Sequence, residues 1–287
     1  MKKLRYTHIG FVLLIGVIFL LVWTSCFRKY TMNDSEIATH YAHKTNKPQF
    51  FTHIYKKYAL HYASIGADTL PLLLLIHGAP GAWYSYMHLI DDTLLQKKFK
   101  IISIDRPGYG KSGYGKSVTS IEMQALIISA LIDLHPCHLP IYIMGRSYGA
   151  PIAAQLALMH QDRLKGLYLL SGALDPEKEK FWWFSDFGKW AVIRWLLPRA
   201  LNVATDEKFA HIKELKILSS KLKYLHAPTC VMYGGRDYIV DTANYSYVKK
   251  MLSNAPARYY FLPEVGHLVS NERPELVRKE ILKDLGN

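Results

Sequence analysis

The chain has 287 residues, 50% hydrophobic and 21% charged, a composition that excludes a disordered or low-complexity protein. Lys and Arg outnumber Asp and Glu by 36 to 23, for a formal charge of +13. The basic residues are scattered in short pairs such as Lys56-Lys57, Lys97-Lys98 and Lys249-Lys250, which describes a solvated basic surface and, with no nucleic-acid-binding motif present, points away from nucleic acid as a partner.

At the N-terminus, Lys2, Lys3 and Arg5 precede fifteen uncharged, mostly apolar residues from Ile9 to Trp23. That is the pattern of an export signal or a short membrane anchor. Cys26 follows Thr24 and Ser25 and is similar to the cysteine of a bacterial lipoprotein signal, where cleavage leaves it lipidated at the new N-terminus. Left uncleaved, Ile9 to Phe27 supplies nineteen uncharged residues, close to the ~20 that span a bilayer. Residues 1–26 are thus a signal peptide or an anchor. Either way the positive head stays inside, so the remaining chain is expected at a membrane and outside the cytoplasm. Residues 27–55 read as a polar, irregular tether. Of the three cysteines, Cys137 and Cys230 flank or lie in apolar runs and read as buried, inert thiols.

From residue 56 the sequence alternates strand-like and helix-like pieces. YALHYASIG alternates apolar and polar residues up to Gly66. PLLLLIHG and KIISIDRPG are continuous apolar runs, as expected for strands covered on both faces. IEMQALIISALIDL, residues 121–134, is long enough for a buried helix. IYIMG, GLYLLSGA, TCVMYGG and YYFLPEVGH are further short strands, and RPELVRKEILKDL carries Val277, Ile281 and Leu285 at helical spacing. The alternation predicts an α/β fold, a mostly parallel sheet with helices on both faces.

One insert, about residues 176–225, breaks the alternation. It holds Trp182, Trp183, Trp190 and Trp195, four of the six tryptophans. A helix is expected from near Asp206, whose acidic first turn suits the helix dipole, to Leu222, with Phe209, Ile212, Leu215, Leu218 and Leu222 as its apolar stripe. The aromatics would line a pocket, bury the insert against the core, or meet a membrane interface.

YIMGRSYGAP, residues 142–151, carries the chemistry. A strand ends in Gly145, Arg146, Ser147, Tyr148 and Gly149, and small residues then open a helix. Glycine on both sides permits a tight turn that exposes a serine hydroxyl above the sheet. Between strand and helix, G-x-S-x-G resembles the nucleophile elbow of the α/β-hydrolase superfamily, and the resemblance runs from about residue 55 to 285. LLLLIHGAPGAW is similar to that family's HGxPG loop, which implies oxyanion-hole donors at the backbone N–H groups of Ala79 and Tyr148. DRPGYGKS, residues 105–112, resembles a structural turn of the family, and His77 a loop-organising residue.

A serine hydroxyl needs a base, and the base an orienting acid. Asp237 and His267 each follow a strand, and the order Ser147, Asp237, His267 is the one this fold implies. Asp175, also past a strand end, is the alternative acid. By resemblance, a serine at the elbow excludes epoxide hydrolases and haloalkane dehalogenases, which place an aspartate there. The expected activity is carboxylesterase-like hydrolysis of a small molecule with an apolar acyl or aryl group. The alternatives are an aminopeptidase or amidase of the proline iminopeptidase type, though GRSYG lacks the tryptophan those carry after the serine, and a non-catalytic binding module of the same fold. No pattern calls for a metal or an organic cofactor.

Overall fold

The computed structural model describes residue 16, residues 32–181 and residues 185–286. Apart from residue 16, the expected leader with Cys26 lies outside the described residues, as do Trp182, Trp183 and Phe184. Among the described residues no helix is long and apolar enough to cross a membrane.

The chain divides into two compact units, residues 1–47 and 48–287. The described part of the first holds helix α1 (Asp34–Tyr41). Its start is a capping box: Asn33 Oδ1 accepts from the Glu36 N–H at 2.9 Å, and the Glu36 carboxylate accepts from the Asn33 N–H at 2.8 Å. The expectation of an irregular tether over 27–55 is therefore corrected at two places. A capped helix forms at residues 34–41, and strand β1 (Gln49–Tyr55) already belongs to the sheet. β1 forms a hairpin with β2 (Tyr58–Ile65) from Tyr55 opposite Tyr58 to Gln49 opposite Ser64, so the second unit begins at residue 48 rather than 56.

The other strands are β3 (Leu72–Ile76), β4 (Lys100–Ile104), β5 (Ile141–Arg146), β6 (Leu164–Leu170), β7 (Thr229–Gly234) and β8 (Ala257–Leu262). They form an eight-stranded sheet in the order β1-β2-β4-β3-β5-β6-β7-β8. β1, β2 and β4 pair antiparallel, and every pairing from β4 onward is parallel. The apolar runs behave as their patterning requires: all five residues of β3 and all six of β5 are buried, each large aliphatic side chain contributing roughly 1.5–3 kcal/mol of transfer free energy. Helices α2 (Ile121–Leu134) and α3 (Gly149–Met159) contribute Ile127, Ile128, Ile152 and Leu156 to the same core. The expected α/β fold is the one observed.

The insert contains a short helix (Ala191–Leu196) and the long helix α4 (Arg199–Leu222). α4 starts seven residues before the expected Asp206. Pro198 fixes the start, since its ring suits the position before the first turn, while Asp206 and Glu207 lie inside the helix with partners of their own. Asp206 receives Arg194 at 2.7 Å. The buried face of α4 is Val203, Glu207, His211, Leu215, Leu218 and Leu222; Phe209 and Ile212, expected on it, are only half-buried. Nor are the insert's described tryptophans buried against the core: Trp190 is 58% and Trp195 83% exposed. Helix α5 (Ala243–Met251) and helix α6 (Pro274–Lys283) complete the unit, with Val277 and Ile281 of α6 buried.

Cys230 is buried, and burial pushes its thiol up to about 12. Cys137, expected to be buried, is exposed, because it sits in the turn between α2 and β5 rather than in the strand.

Candidate active site

The elbow is built from backbone constraints. Ser147 follows β5 with φ +55°, the left-handed region that non-glycine residues seldom enter. Its N–H donates to the Leu170 carbonyl at 3.0 Å, and its carbonyl accepts from the Ala150 N–H at 3.1 Å, so both neighbours hold the turn. A Cβ at Gly145 would sit 2.3 Å from the Gly149 carbonyl oxygen, and one at Gly149 2.4 Å from the Ile76 oxygen. Both glycines are therefore required by close approach, as the motif implies. From residue 141 to 150, Ser147 alone is not buried.

Two backbone amides flank it. Among the described residues neither the Ala79 N–H nor the Tyr148 N–H donates a hydrogen bond. Gly78 brings the first loop close: a Cβ there would lie 3.5 Å from Ser147 Oγ. Tyr148 is the N-cap of α3, so its amide belongs to the positive end of the helix dipole. Free N–H groups beside a nucleophile can receive the oxygen that becomes negative when an acyl carbon is attacked.

The candidate acid and base come from the loops after β7 and β8. Gly235 N–H donates to the Leu262 carbonyl at 2.8 Å and Arg236 N–H to the Val265 carbonyl at 2.9 Å. A Cβ on Gly234 would fall 2.2 Å from the Gly266 oxygen, so the two loops run edge to edge. This brings His267 Nδ1 to 2.7 Å from Asp237 Oδ2. The other carboxylate oxygen accepts from Ile239 N–H and Val240 N–H, each at 2.9 Å. Burial pushes the Asp237 carboxyl up, but His267 and these two amides outweigh it and hold it below its usual value. An ionised Asp237 keeps the proton on His267 Nδ1 and leaves Nε2 as the acceptor.

Of the two candidate carboxylates, Asp237 is the one that meets His267. Asp175 caps its own turn, accepting from the Glu177 N–H at 2.9 Å, and its N–H donates to Asn244. Ser147 and His267 share the carboxyl edge of the parallel strands. No hydrogen bond joins their side chains among the described residues; their segments are tied where Arg146, next to Ser147, donates from Nη1 to Asn271 Oδ1 at 2.9 Å. Bonds between nucleophile and base commonly tighten only around substrate.

DRPGYG forms a turn, and His77 bonds it to its own loop. Its Nε2 accepts the Arg106 backbone N–H at 3.0 Å and its Nδ1 lies 2.7 Å from the Gly78 carbonyl oxygen. Sequence reading missed what meets them. Arg106 has no exposure and pairs with the equally buried Glu207 of α4 at 2.7 Å, with Gln124 and Tyr109 bonded to the same pair. The signal was present: Glu207 and His211 lie at four-residue spacing from Val203 and Leu215, on the line of the apolar stripe.

Among the described residues no group of three or more His, Cys, Asp or Glu is placed to hold a metal ion. A cavity lined by Lys165, Pro228, Pro256, Ala257, Arg258 and Asp284 opens at the amino ends of β6, β7 and β8, the end opposite to Ser147.

The family of the alpha/beta hydrolase fold matches residues 71–195. Epoxide hydrolase B of Mycobacterium tuberculosis is 30% identical over 103 residues, 35% of this chain and 28% of that protein. The matches to the first epoxide hydrolases span only 21–36% of their lengths. The uncharacterized hydrolase YugF of Bacillus subtilis is 24% identical over 263 residues, 78% of this chain and 92% of that one. Among solved structures, a membrane phospholipase A described as a bacterial virulence factor superposes with a TM-score of 0.62 at 20% identity, covering 100% of this chain and 98% of the other.

Proposed function

This chain belongs to the α/β-hydrolase superfamily, and we propose that it is a serine hydrolase that cleaves an ester through an acyl-enzyme on Ser147. The observation that carries the reading is a lone unburied serine on a strained elbow between two amides that donate to nothing among the described residues, with the Asp237–His267 pair on the same sheet edge.

His267 Nε2 takes the proton of Ser147 Oγ as the oxygen attacks the acyl carbon. The carbonyl oxygen becomes negative and receives the Ala79 and Tyr148 N–H groups. His267 then gives the proton to the leaving alkoxide, and water repeats the cycle on the acyl-enzyme. Asp237 holds the imidazole in the required tautomer and stabilises its cationic form. The same chemistry argues against epoxide opening. Serine attacking an epoxide carbon would be left as an ether, which has no carbonyl for water to attack, whereas an acyl ester on serine is hydrolysed. The aromatic insert favours an apolar acyl or aryl group on a small-molecule substrate.

A fluorophosphonate probe with intact-mass analysis tests the nucleophile, and p-nitrophenyl esters of graded chain length set against aminoacyl amides test the bond. Labelling at Ser147 with faster ester cleavage is expected. A folded protein that takes no label is a binding module, and faster amide cleavage makes it an amidase.

Residues 1–26 are proposed, on their charge and apolar pattern alone, to attach the chain to a membrane. Fractionation and intact mass check this: recovery in the membrane fraction, either with the leader intact or with Cys26 acylated after loss of residues 1–25, is the expected outcome. A wholly soluble product with an intact N-terminus is the contrary one.

A further inference from the structure

We propose that helix α4 of the insert aims and strengthens the oxyanion hole, with Glu207 acting through Arg106 as a positioning residue for the Ala79 amide. The proposal rests on the serine-hydrolase reading above.

The Gly78 carbonyl oxygen is held from two sides. Arg106 Nη2 donates to it at 3.0 Å, and His77 Nδ1 stands 2.7 Å away. Because His77 Nε2 accepts the Arg106 N–H, the His77 proton resides on Nδ1, which therefore donates to Gly78. Burial, and then the Arg106 charge, hold His77 neutral, as this arrangement requires. The Gly78–Ala79 peptide is trans. In a trans peptide the C=O and N–H point in opposite directions. Pinning the carbonyl inward therefore turns the Ala79 N–H outward, and that N–H is one of the two free amides beside Ser147. A charged donor on the carbonyl also polarises the amide and makes its N–H a better donor.

Arg106 owes its orientation to α4. Glu207 receives Nη1 at 2.7 Å and Nη2 at 3.1 Å in a two-pronged pair. Its carboxylate also accepts Tyr109 Oη at 2.6 Å and Gln124 Nε2 at 2.9 Å. Burial works against the guanidinium charge, and Glu207 overrides it. One turn along α4, the His211 ring lies 4.5 Å from the ring of Tyr148, whose other neighbour is the Arg106 guanidinium at 4.9 Å. The residues bearing both free amides are thus braced by one face of one helix. A fully buried ion pair stabilises a fold little better than apolar side chains of equal volume, so simple attachment of the insert does not account for it. Register between the insert and the amide does.

The test compares Glu207→Gln with the double variant Arg106→Met/Glu207→Leu, which replaces the pair by apolar side chains and keeps the packed volume. Asp206→Asn, on the same helix and outside the network, is the control. For each, melting temperature, kcat and KM on a p-nitrophenyl ester, and inhibition by a trifluoromethyl ketone, which binds serine as a tetrahedral oxyanion, are measured. Both network variants should lose about 10- to 100-fold in kcat with KM within threefold. Ketone affinity should fall by a similar factor, and the control should match the parent. A double variant that melts like the parent and keeps its kcat overturns the proposal. So does a loss confined to KM, with ketone affinity unchanged. If instead the parent itself takes no fluorophosphonate label, the underlying assignment of Ser147 is what has failed.

Discussion

Two histidine–carboxylate pairs in this molecule have the same separation. His267 Nδ1 stands 2.7 Å from Asp237, and His211 Nδ1 stands 2.7 Å from Glu179. The first lies on the sheet edge with 11% of its imidazole side chain exposed; the second is enclosed between the insert and the core at 2%. His211 Nε2 is buried and has no partner among the described residues, and its ring is spent on packing against Tyr148. Separation from a carboxylate therefore does not identify a base. Access to the ring separates the two: the His267 side chain keeps some exposure, and His211 Nε2 is sealed. Glu179 shows the same contrast from the acid's side. Burial raises it, but His211 and Lys208 bring it down to about 2, which makes it a structural anion held by both side chains.

The comparison is broken most severely at the nucleophile. Ser147→Ala should lower the hydrolytic rate by on the order of 10⁴-fold or more while leaving the melting temperature near the parent's. Activity within tenfold of the parent in a folded variant would remove Ser147 from the site. The two acids come next. Asp237→Asn should lower kcat by about 10³- to 10⁴-fold, because the amide favours the wrong His267 tautomer. Glu179→Gln and His211→Asn should each stay within about tenfold, since neither side chain bonds Asp237, His267 or the Arg106 guanidinium. Asp175→Asn should leave the rate alone; kinetics that reversed Asp237 and Asp175 would move the acid to the loop after β6.

The smaller effects are in pH dependence. Folded Glu179 titrates at about 2, against an ordinary value of 4.5. A depressed carboxyl contributes stability that is complete above its unfolded value and is lost as pH falls through the folded one. Urea midpoints of the parent should therefore fall more steeply than those of Glu179→Gln between about pH 4.5 and 2. His88 works at milder pH. Burial brings it down to about 4 from 6.5. Between those values the unfolded chain binds a proton that the folded chain refuses, so stability falls as pH drops from about 6.5 to about 4. His88→Gln should flatten that stretch of the melting curve against pH; an unaltered slope would assign it to other groups.

Most of the sheet is legible along the chain, because strands buried on both faces are written as unbroken apolar runs such as LLLLI and IYIM. The elbow is legible for a related reason. Its glycines answer local steric demands, and their spacing around Ser147 is itself the motif. The start of the sheet was not legible: QFFTHIY buries none of its residues and forms a strand by pairing with β2 across the Lys56-Lys57 turn. The start of α4 was misplaced because acidic residues near a helix end and acidic residues with distant partners look alike in one dimension.

By itself, then, the sequence determined the order of strands and helices from β2 onward, the serine elbow and the succession Ser147, Asp237, His267, all of which depend on patterns within a few residues. Tertiary structure alone decided that Asp237 rather than Asp175 meets His267, and that Arg106 meets Glu207 across 101 positions of chain. The physical reason is that a carboxylate or a guanidinium reads the same in sequence whether it faces water or a partner. Only folding removes the water, and a charge so stripped must find its counter-charge wherever the chain has brought one.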